Sequence, residues 1–361
     1  MGEAVPYYTI IVETGIAMAN QDETLVGLNW RVPARIFVRG GIPRQQVVRL
    51  PLPGAKYYTL RYLLAALLAD GVSLVRNPAR SDDTVALVRA LRALGADVSE
   101  AQGDGDWALR ITGTGGRLSQ PPDNTLAVGN AGAVLRLLLG ISALLPAITF
   151  TTDHPQSLGR RPNADLLAAL TQLGITADAH GPDGLLPITL RGGPPTGGEV
   201  TVSGARSSQY LSALLYLAPL LPQGLRITVT DGLRSSDLVR ATLRVLAEAG
   251  IHVEAAHDLR AFAVARGQAY RAHDVTVPGD APSAAALAVA ASLLGQTAQL
   301  SSLDATQPES AALLTALETL GVPPTLAGGV LTIGTGASLH RARLDGDPLI
   351  DSVPALVAAA C

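Results

Sequence analysis

The chain has 361 residues, of which 48% are hydrophobic and 16% charged, with a formal net charge of -3. This much apolar material is enough for one or two buried cores and excludes a disordered chain. The apolar runs are shorter than the roughly 18 to 20 residues that cross a bilayer, and the N-terminus lacks a secretory signal pattern. We therefore expect a cytoplasmic protein without a membrane segment. The single cysteine excludes an internal disulfide framework, and the near-neutral charge argues against nucleic-acid binding.

Residues 1–45 carry no repeat signature, and we treat them as an N-terminal extension of unknown role. From residue 46 onward, short strand-like runs end in a glycine turn that opens a helix rich in alanine and leucine. The turn glycines are Gly54, Gly129, Gly204 and Gly279, so each step is 75 residues. A second helix, which ends on a glycine cap, follows in each repeat.

Each repeat reads as strand, helix, strand, helix and two further short strands, which is a βαβαββ module. The second strands are predicted at residues 72–75, 148–151, 225–229 and 298–301. A fifth module begins near Asp347 with a helix over residues 353–360. Because one module leaves a face of its sheet and helices unburied, several copies must pack together. The predicted fold class is therefore α/β (α+β), built from repeated βαβαββ modules.

Several short motifs stand at or near the turns of these modules, between residue 46 and the end of the chain. They are Leu52-Pro53-Gly54-Ala55-Lys56 with Arg61, Ser81-Asp82-Asp83, Gly129-Asn130-Ala131-Gly132 with Arg136, Arg161-Pro162, Ser207-Ser208-Gln209 and Leu349-Ile350-Asp351-Ser352-Val353-Pro354. In this order and spacing they resemble the enolpyruvyl transferase family, and within it the members that act on shikimate 3-phosphate.

The resemblance implies two similar domains of three modules each, with the active site in the cleft between them. Residues 54–276 would form the first domain, and residues 46–53 with 277–361 an incomplete second one. The implied activity transfers the enolpyruvyl group from phosphoenolpyruvate to the 5-hydroxyl of shikimate 3-phosphate and releases phosphate. The implied ligands are these two small molecules, bound by a monomer that needs no metal or other cofactor.

Lys56 and Arg61 follow the first glycine turn, and Lys56 is the one lysine among 27 basic residues. Two cations beside the N–H groups of a helix start are typical of an anion cradle, although a solvated basic pair fits the same pattern. By resemblance, Lys56 contacts both substrates and is a catalytic candidate, and Arg61 binds the shikimate carboxylate.

Ser207, Ser208 and Gln209 open the corresponding helix of the third module, and hydroxyls at a helix start indicate either a phosphate site or an ordinary N-cap. By resemblance, the two serines bind the 3-phosphate, Gln209 reaches both substrates, and Ser235 is a further phosphate-binding serine. Repeat equivalence predicts that these helix starts, those of Lys56 and Asn130 included, face one cleft.

Asn130, Gly132 and Arg161 match the family positions for phosphoenolpyruvate. Glycine would admit that ligand closely against the backbone, since it has no Cβ. Arg136 is a secondary candidate, because a surface position on the helix fits it equally well, and Arg160 is expected to be structural or solvated.

Asp351 is predicted to lie in an apolar setting, where a carboxylate can act as a proton shuttle, or to cap the helix ahead of Pro354. By resemblance, it takes the proton of the 5-hydroxyl. Asp82 and Asp83 begin a helix, and we assign them to the helix dipole.

Three positions depart from the family near the predicted shikimate pocket, namely Tyr57, Leu60 and Leu238. Later family motifs, including basic residues that complete the phosphoenolpyruvate site, are absent from the sequence. We therefore expect this polypeptide alone to be inactive.

Two alternatives stay open at this point. One is the UDP-N-acetylglucosamine enolpyruvyl transferase of cell-wall synthesis, which usually carries a reactive loop cysteine; residues 156–161 contain none. The other is a non-catalytic descendant that binds a phosphorylated ligand.

Overall fold

The structure is a computed structural model that describes residues 8–13, 35–40, 47–103 and 106–360. Most of the predicted extension and Cys361 lie outside these ranges. Within the extension, strands β1 (Tyr8–Glu13) and β2 (Arg35–Gly40) pair antiparallel. The chain divides into two units. The first unit is Gly54–Pro278, and the second contains strand β3 (Val48–Pro51) and the described chain from Gly279 onward.

Helices alternate with strands through both units. Those of the first unit are α1 (Lys56–Leu68), α2 (Asp82–Ala93), α3 (Gly132–Ile141), α4 (Ala164–Gln172), α5 (Ser208–Leu217) and α6 (Ser236–Glu248). Those of the second unit are α7 (Ala281–Leu293), α8 (Pro308–Thr319) and α9 (Val353–Ala360). Short 3-10 helices include Leu158–Arg160 and Asp347–Leu349.

The remaining strands are short, as expected for βαβαββ modules. In the first unit they are β4 (Val72–Arg76), β5 (Asp97–Gly103), β6 (Asp106–Thr112), β7 (Thr125–Ala127), β8 (Ala147–Thr151), β9 (Thr176–His180), β10 (Leu185–Arg191), β11 (Gly198–Val202), β12 (Leu225–Val229), β13 (Glu254–Ala255), β14 (Ala261–Val264) and β15 (Val275–Thr276). In the second unit they are β16 (Ala298–Ser301), β17 (Pro324–Ala327) and β18 (Val330–Ile333).

These strands form four-stranded sheets that share one topology. The orders are β15-β4-β6-β5, β7-β8-β10-β9 and β11-β12-β14-β13 in the first unit and β17-β18-β16-β3 in the second. In every one of these sheets the edge strand pairs parallel with the strand after the first helix, and the other pairs are antiparallel. The predicted mixed α/β repeat is confirmed.

The first module of the first unit does not use the strand that precedes it in the chain. Strand β3 instead joins the second unit, where Leu50 pairs with Leu300. Its place is taken by β15, where Val275 pairs with Val75. The first unit is thereby closed by its own last strand.

The glycine turns at Gly54 and Gly204 are held by residues that closely follow the neighbouring strand, Asn77 and Asp231. At Gly54 a Cβ would lie 1.8 Å from the Asn77 carbonyl oxygen, so only glycine fits. At the third turn, the Asp231 carboxylate accepts hydrogen bonds from the Ser203 hydroxyl at 2.7 Å and the Gly204 N–H at 2.8 Å. The Ser203 bond is the main cause of the lowered pKa of Asp231. These contacts fix where α1 and α5 begin.

The first helices of the three modules are inner helices of this unit. α1 is apolar nearly all round, and all its residues from Tyr58 to Leu68 are buried. α3 and α5 pack so closely that a Cβ on Gly140 would lie 2.4 Å from the Ala213 carbonyl oxygen. Within the described ranges, no helix is long and apolar enough to cross a membrane.

Candidate anion site at the helix starts

The N-terminal ends of α3 and α5 carry the side chains that the structure brings together. Arg136, one turn into α3, donates from Nη1 to Oε1 of Gln209 in α5 at 2.8 Å. Its other guanidinium nitrogens donate to the Pro162 carbonyl oxygen at 3.3 Å and to Oδ1 of Asn163 at 3.4 Å. The guanidinium also lies over the Tyr210 ring, 5.4 Å from its centroid. Arg136 therefore connects three segments of the first unit.

Arg161 lies beside the start of α3 because Gly132 has no side chain. A Cβ on Gly132 would lie 2.8 Å from Nη1 of Arg161. The sequence predicted that this glycine would leave room for a ligand. In the structure the arginine occupies that space, and Arg161 itself is exposed to solvent, as is Asn130.

The two guanidinium groups form a positive centre without a neutralising carboxylate. Arg136 donates to uncharged groups, namely the side-chain amides of Gln209 and Asn163 and the backbone carbonyl of Pro162. Neither Arg136 nor Arg161 forms an ion pair with a carboxylate in the described part of the chain. Burial is the main cause of the lowered pKa of Arg136, and the charge of Arg161 adds to it. Such a pair attracts a phosphate or carboxylate group, with which arginine forms bidentate hydrogen bonds.

Arg136 was only a secondary candidate from the sequence. A stronger signal was available, because Arg136 follows Gly132 by four residues and so lies one turn along the same helix face. Asn163 and Tyr210 were missed altogether, since nothing in their sequence context separates them from ordinary helix-start and core residues.

Ser207 and its neighbours open α5 as predicted. Ser207 is the N-cap, with its Oγ accepting a hydrogen bond from the Gln209 N–H at 3.3 Å. Ser208 is buried, and Gln209 is half-buried and bonded to Arg136. The helix starts of the other modules are not strictly equivalent: Lys56 is the first residue of α1, whereas Asn130 lies two residues before α3. The serine at the N-cap serves the helix in this structure, and its phosphate role stays a prediction.

Ser235 precedes α6 in a left-handed backbone conformation, with φ 51° and ψ 52°. Few residues other than glycine adopt this region, and such outliers are concentrated at functional sites. The Ser235 side chain makes no capping hydrogen bond to the helix. This conformation fits the predicted binding role without testing it.

Lys56 is half exposed, and its Nζ lies 3.5 Å from Oδ2 of Asp83. The assignment of Asp83 to the helix dipole is therefore incomplete, because this carboxylate also pairs with the predicted catalytic lysine. Ser81 caps α2 through a bond from the Thr84 N–H, as its helix-start pattern indicates.

Arg61 and Lys56 have different partners in this structure, and their predicted common cradle stays a prediction. Five residues along a helix turn the side chain by roughly 140° relative to Lys56. Arg61 is 3% exposed and donates to the carbonyl oxygens of Tyr57 and Leu238 and to Oγ1 of Thr242. It links α1 to α6, and its predicted carboxylate role stays a prediction.

The three positions that depart from the family also have distinct environments. Leu60 is 1% exposed and belongs to the core, so it does not line an open pocket. Tyr57 and Leu238 are half-buried, and the backbone carbonyl oxygen of each accepts a hydrogen bond from Arg61.

Asp351 belongs to the second unit, in the turn between the 3-10 helix Asp347–Leu349 and α9. The expected apolar setting is absent, because Asp351 is exposed and Ile350 is 63% exposed. Ser352, not Asp351, directly precedes α9, and its carbonyl oxygen accepts from the Leu356 N–H. Within the described ranges, no three His, Cys, Asp or Glu side chains gather as metal ligands.

Comparison with known proteins agrees with this architecture. A family described as EPSP synthase (3-phosphoshikimate 1-carboxyvinyltransferase) matches residues 42–361. The chain belongs to the EPSP synthase family. The predicted resemblance is thereby confirmed, and EPSP synthases are transferases.

The EPSP synthase relatives cover most of the chain. The 3-phosphoshikimate 1-carboxyvinyltransferase of Deinococcus radiodurans is 45% identical over 308 residues, which are 85% of this chain and 68% of that protein. The enzyme of the same name from Burkholderia pseudomallei is 33% identical, over 85% of this chain and 67% of its own length. The chain thus spans about two thirds of these relatives.

A solved EPSP synthase from Acinetobacter baumannii has the same fold. The TM-score is 0.72 at 24% identity, over 86% of this chain and 70% of that chain. The curated relatives carry the shikimate name, which favours the first prediction over the UDP-N-acetylglucosamine alternative.

Proposed function

We propose that this chain binds phosphoenolpyruvate and shikimate 3-phosphate and contributes to enolpyruvyl transfer between them. The observation that carries the proposal is the Arg136–Arg161 pair, which has no carboxylate partner in the described residues and is arranged around Gly132 and Gln209. Family membership supports phosphoenolpyruvate, which carries a phosphate and a carboxylate, as the anion for this pair.

The proposed division of the site follows the modules. Arg161, Arg136, Gly132 and Asn130 receive phosphoenolpyruvate. The serines Ser207, Ser208 and Ser235 receive the 3-phosphate of the second substrate, and Arg61 its carboxylate. Gln209 lies between the two groups, because its side chain bonds Arg136 while its backbone N–H bonds Ser207. Lys56 is proposed to contact both substrates.

In the proposed reaction, the 5-hydroxyl oxygen of shikimate 3-phosphate bonds to C2 of phosphoenolpyruvate while C3 takes up a proton. Loss of a C3 proton and of the C2–phosphate bond then gives the enol ether and inorganic phosphate. Asp351 is proposed to accept the proton of the 5-hydroxyl. Its exposure leaves the carboxylate open to a ligand. The arginines hold the phosphate that leaves.

Calorimetric titration of the 361-residue chain tests the binding part. We expect shikimate 3-phosphate to bind, UDP-N-acetylglucosamine not to bind, and Ser207→Ala to weaken shikimate 3-phosphate binding about tenfold, the loss of a strong hydrogen bond to an anion. Ser81→Ala is the matched control, because Ser81 also caps a helix with a 3.3 Å bond. Equal changes in shikimate 3-phosphate affinity for the two variants would show that Ser207 only caps its helix and does not bind the phosphate.

The expected inactivity of this polypeptide alone stays a prediction. A steady-state assay that measures phosphate release tests it. The same assay without shikimate 3-phosphate separates enolpyruvyl transfer from simple hydrolysis of phosphoenolpyruvate.

A further inference from the structure

Tyr210 has contacts to both arginine-bearing segments of the anion site. It follows Gln209 in the first turn of α5 and is fully buried. Its ring supports the guanidinium of Arg136, whose Cζ lies 5.4 Å from the ring centroid. Its hydroxyl donates to the carbonyl oxygen of Pro162, next to Arg161, at 2.7 Å.

The segment that Tyr210 holds is itself tied to Arg136. The Pro162 carbonyl oxygen accepts from Nη2 of Arg136 as well as from the phenol. The buried Asn163 donates from Nδ2 to the carbonyl oxygen of Arg161 at 2.9 Å, and its Oδ1 accepts from Nε of Arg136. One buried cluster therefore fixes the Arg136 guanidinium relative to the backbone that carries Arg161.

An aromatic ring suits this position better than a carboxylate would. A ring face attracts a guanidinium through its quadrupole and leaves the positive charge available to a ligand. A carboxylate would neutralise the charge and compete with the ligand anion. Burial raises the pKa of the Tyr210 phenol, although Arg136 opposes the shift, so the hydroxyl stays protonated and donates at neutral pH.

We propose that Tyr210 is a positioning residue of the phosphoenolpyruvate site, where its ring and hydroxyl together fix Arg136 relative to Arg161. This inference rests on the proposed function. Tyr210 acts through the arginines and not by touching the substrate, so its loss must change phosphoenolpyruvate affinity selectively.

The test compares Tyr210→Phe with Tyr270→Phe in the full chain. Tyr270 is a matched control, because its buried hydroxyl also donates to a backbone carbonyl, that of Tyr216, at 2.7 Å. Phosphoenolpyruvate and shikimate 3-phosphate are titrated separately. We expect Tyr210→Phe to weaken phosphoenolpyruvate binding about fivefold, the net strength of one hydrogen bond, and to leave shikimate 3-phosphate binding unchanged. Tyr270→Phe should change neither affinity.

A second readout needs no ligand. In an NMR spectrum of the free protein, the Nε–H of Arg136, which donates to Oδ1 of Asn163, should exchange with water about fivefold faster in Tyr210→Phe than in the wild type. The reason is that loss of the Tyr210–Pro162 hydrogen bond loosens the cluster that holds the guanidinium. If the wild type binds neither substrate, the proposed function fails, and this exchange rate alone decides the positioning role. An unchanged exchange rate, unchanged phosphoenolpyruvate affinity, or equal losses for both substrates would overturn the inference.

Discussion

Arg61 and Arg136 occupy the same position in successive repeats, seven residues after Gly54 and Gly129. Arg61 is buried between α1 and α6 and bonds Thr242 and two backbone carbonyls. Arg136 is half-buried at the start of the neighbouring helix, beside Arg161. One arginine therefore joins helices, and the other belongs to the proposed anion site. The repeat determines the position of each arginine on its helix, and the neighbouring segment determines which groups it contacts.

The largest effect expected from this comparison is on stability. Arg61→Met should lower the free energy of unfolding by about 3 kcal/mol, because it removes three hydrogen bonds that the buried guanidinium donates to one hydroxyl and two carbonyl oxygens. Urea unfolding of the chain measures it. Arg136→Met is the matched substitution at the equivalent position, and its loss of stability should be clearly smaller. Equal losses would remove the distinction between the two arginines.

The reverse order is expected for ligand binding. Arg136→Met should weaken phosphoenolpyruvate binding about tenfold or more, since a charge-assisted contact and the support of Gln209 are both lost. Calorimetry measures the affinity. The comparison is broken if Arg61→Met, tested under conditions where it is folded, lowers this affinity as much.

Two glycines of α3 sharpen the comparison further. Gly132→Ala should displace the flexible end of Arg161 and weaken phosphoenolpyruvate binding about fivefold, with a stability change below about 1 kcal/mol. Gly140→Ala is the control in the same helix. Its Cβ would meet backbone, so it should lower stability by about 2 kcal/mol or more. Thermal unfolding and titration of both variants separate the two effects, and a destabilised Gly132→Ala with normal affinity would contradict the account.

The smallest effect is expected at the Lys56–Asp83 pair. Because Lys56 is half exposed, Asp83→Asn should change the free energy of unfolding by less than about 0.5 kcal/mol. Asp82→Asn, in the same first turn of α2, is the control. A loss above 1 kcal/mol at Asp83 alone would give this ion pair a structural role that its exposure does not support.

The sequence predicted the modules well because glycine turns and helix caps are local signals. Strand β12 and helix α9 have the predicted bounds, and Ser207 caps α5 as its pattern indicates. The failures concern contacts between segments. Arg61 is buried because it bonds the carbonyl oxygen of Leu238 in α6. Arg161 lies close to α3 because Gly132 has no Cβ. Asp351 is exposed because its apolar neighbour Ile350 is exposed as well and does not cover the turn.

The most direct test of the central claim titrates phosphoenolpyruvate into the full chain and its Arg161→Ala and Arg160→Ala variants. The two arginines are adjacent and both exposed, so they contribute equally to the overall charge. The account predicts about a tenfold or greater loss of affinity for Arg161→Ala and no change for Arg160→Ala. Equal losses in the two variants would show that the anion responds only to general positive charge, and the proposed site would be wrong.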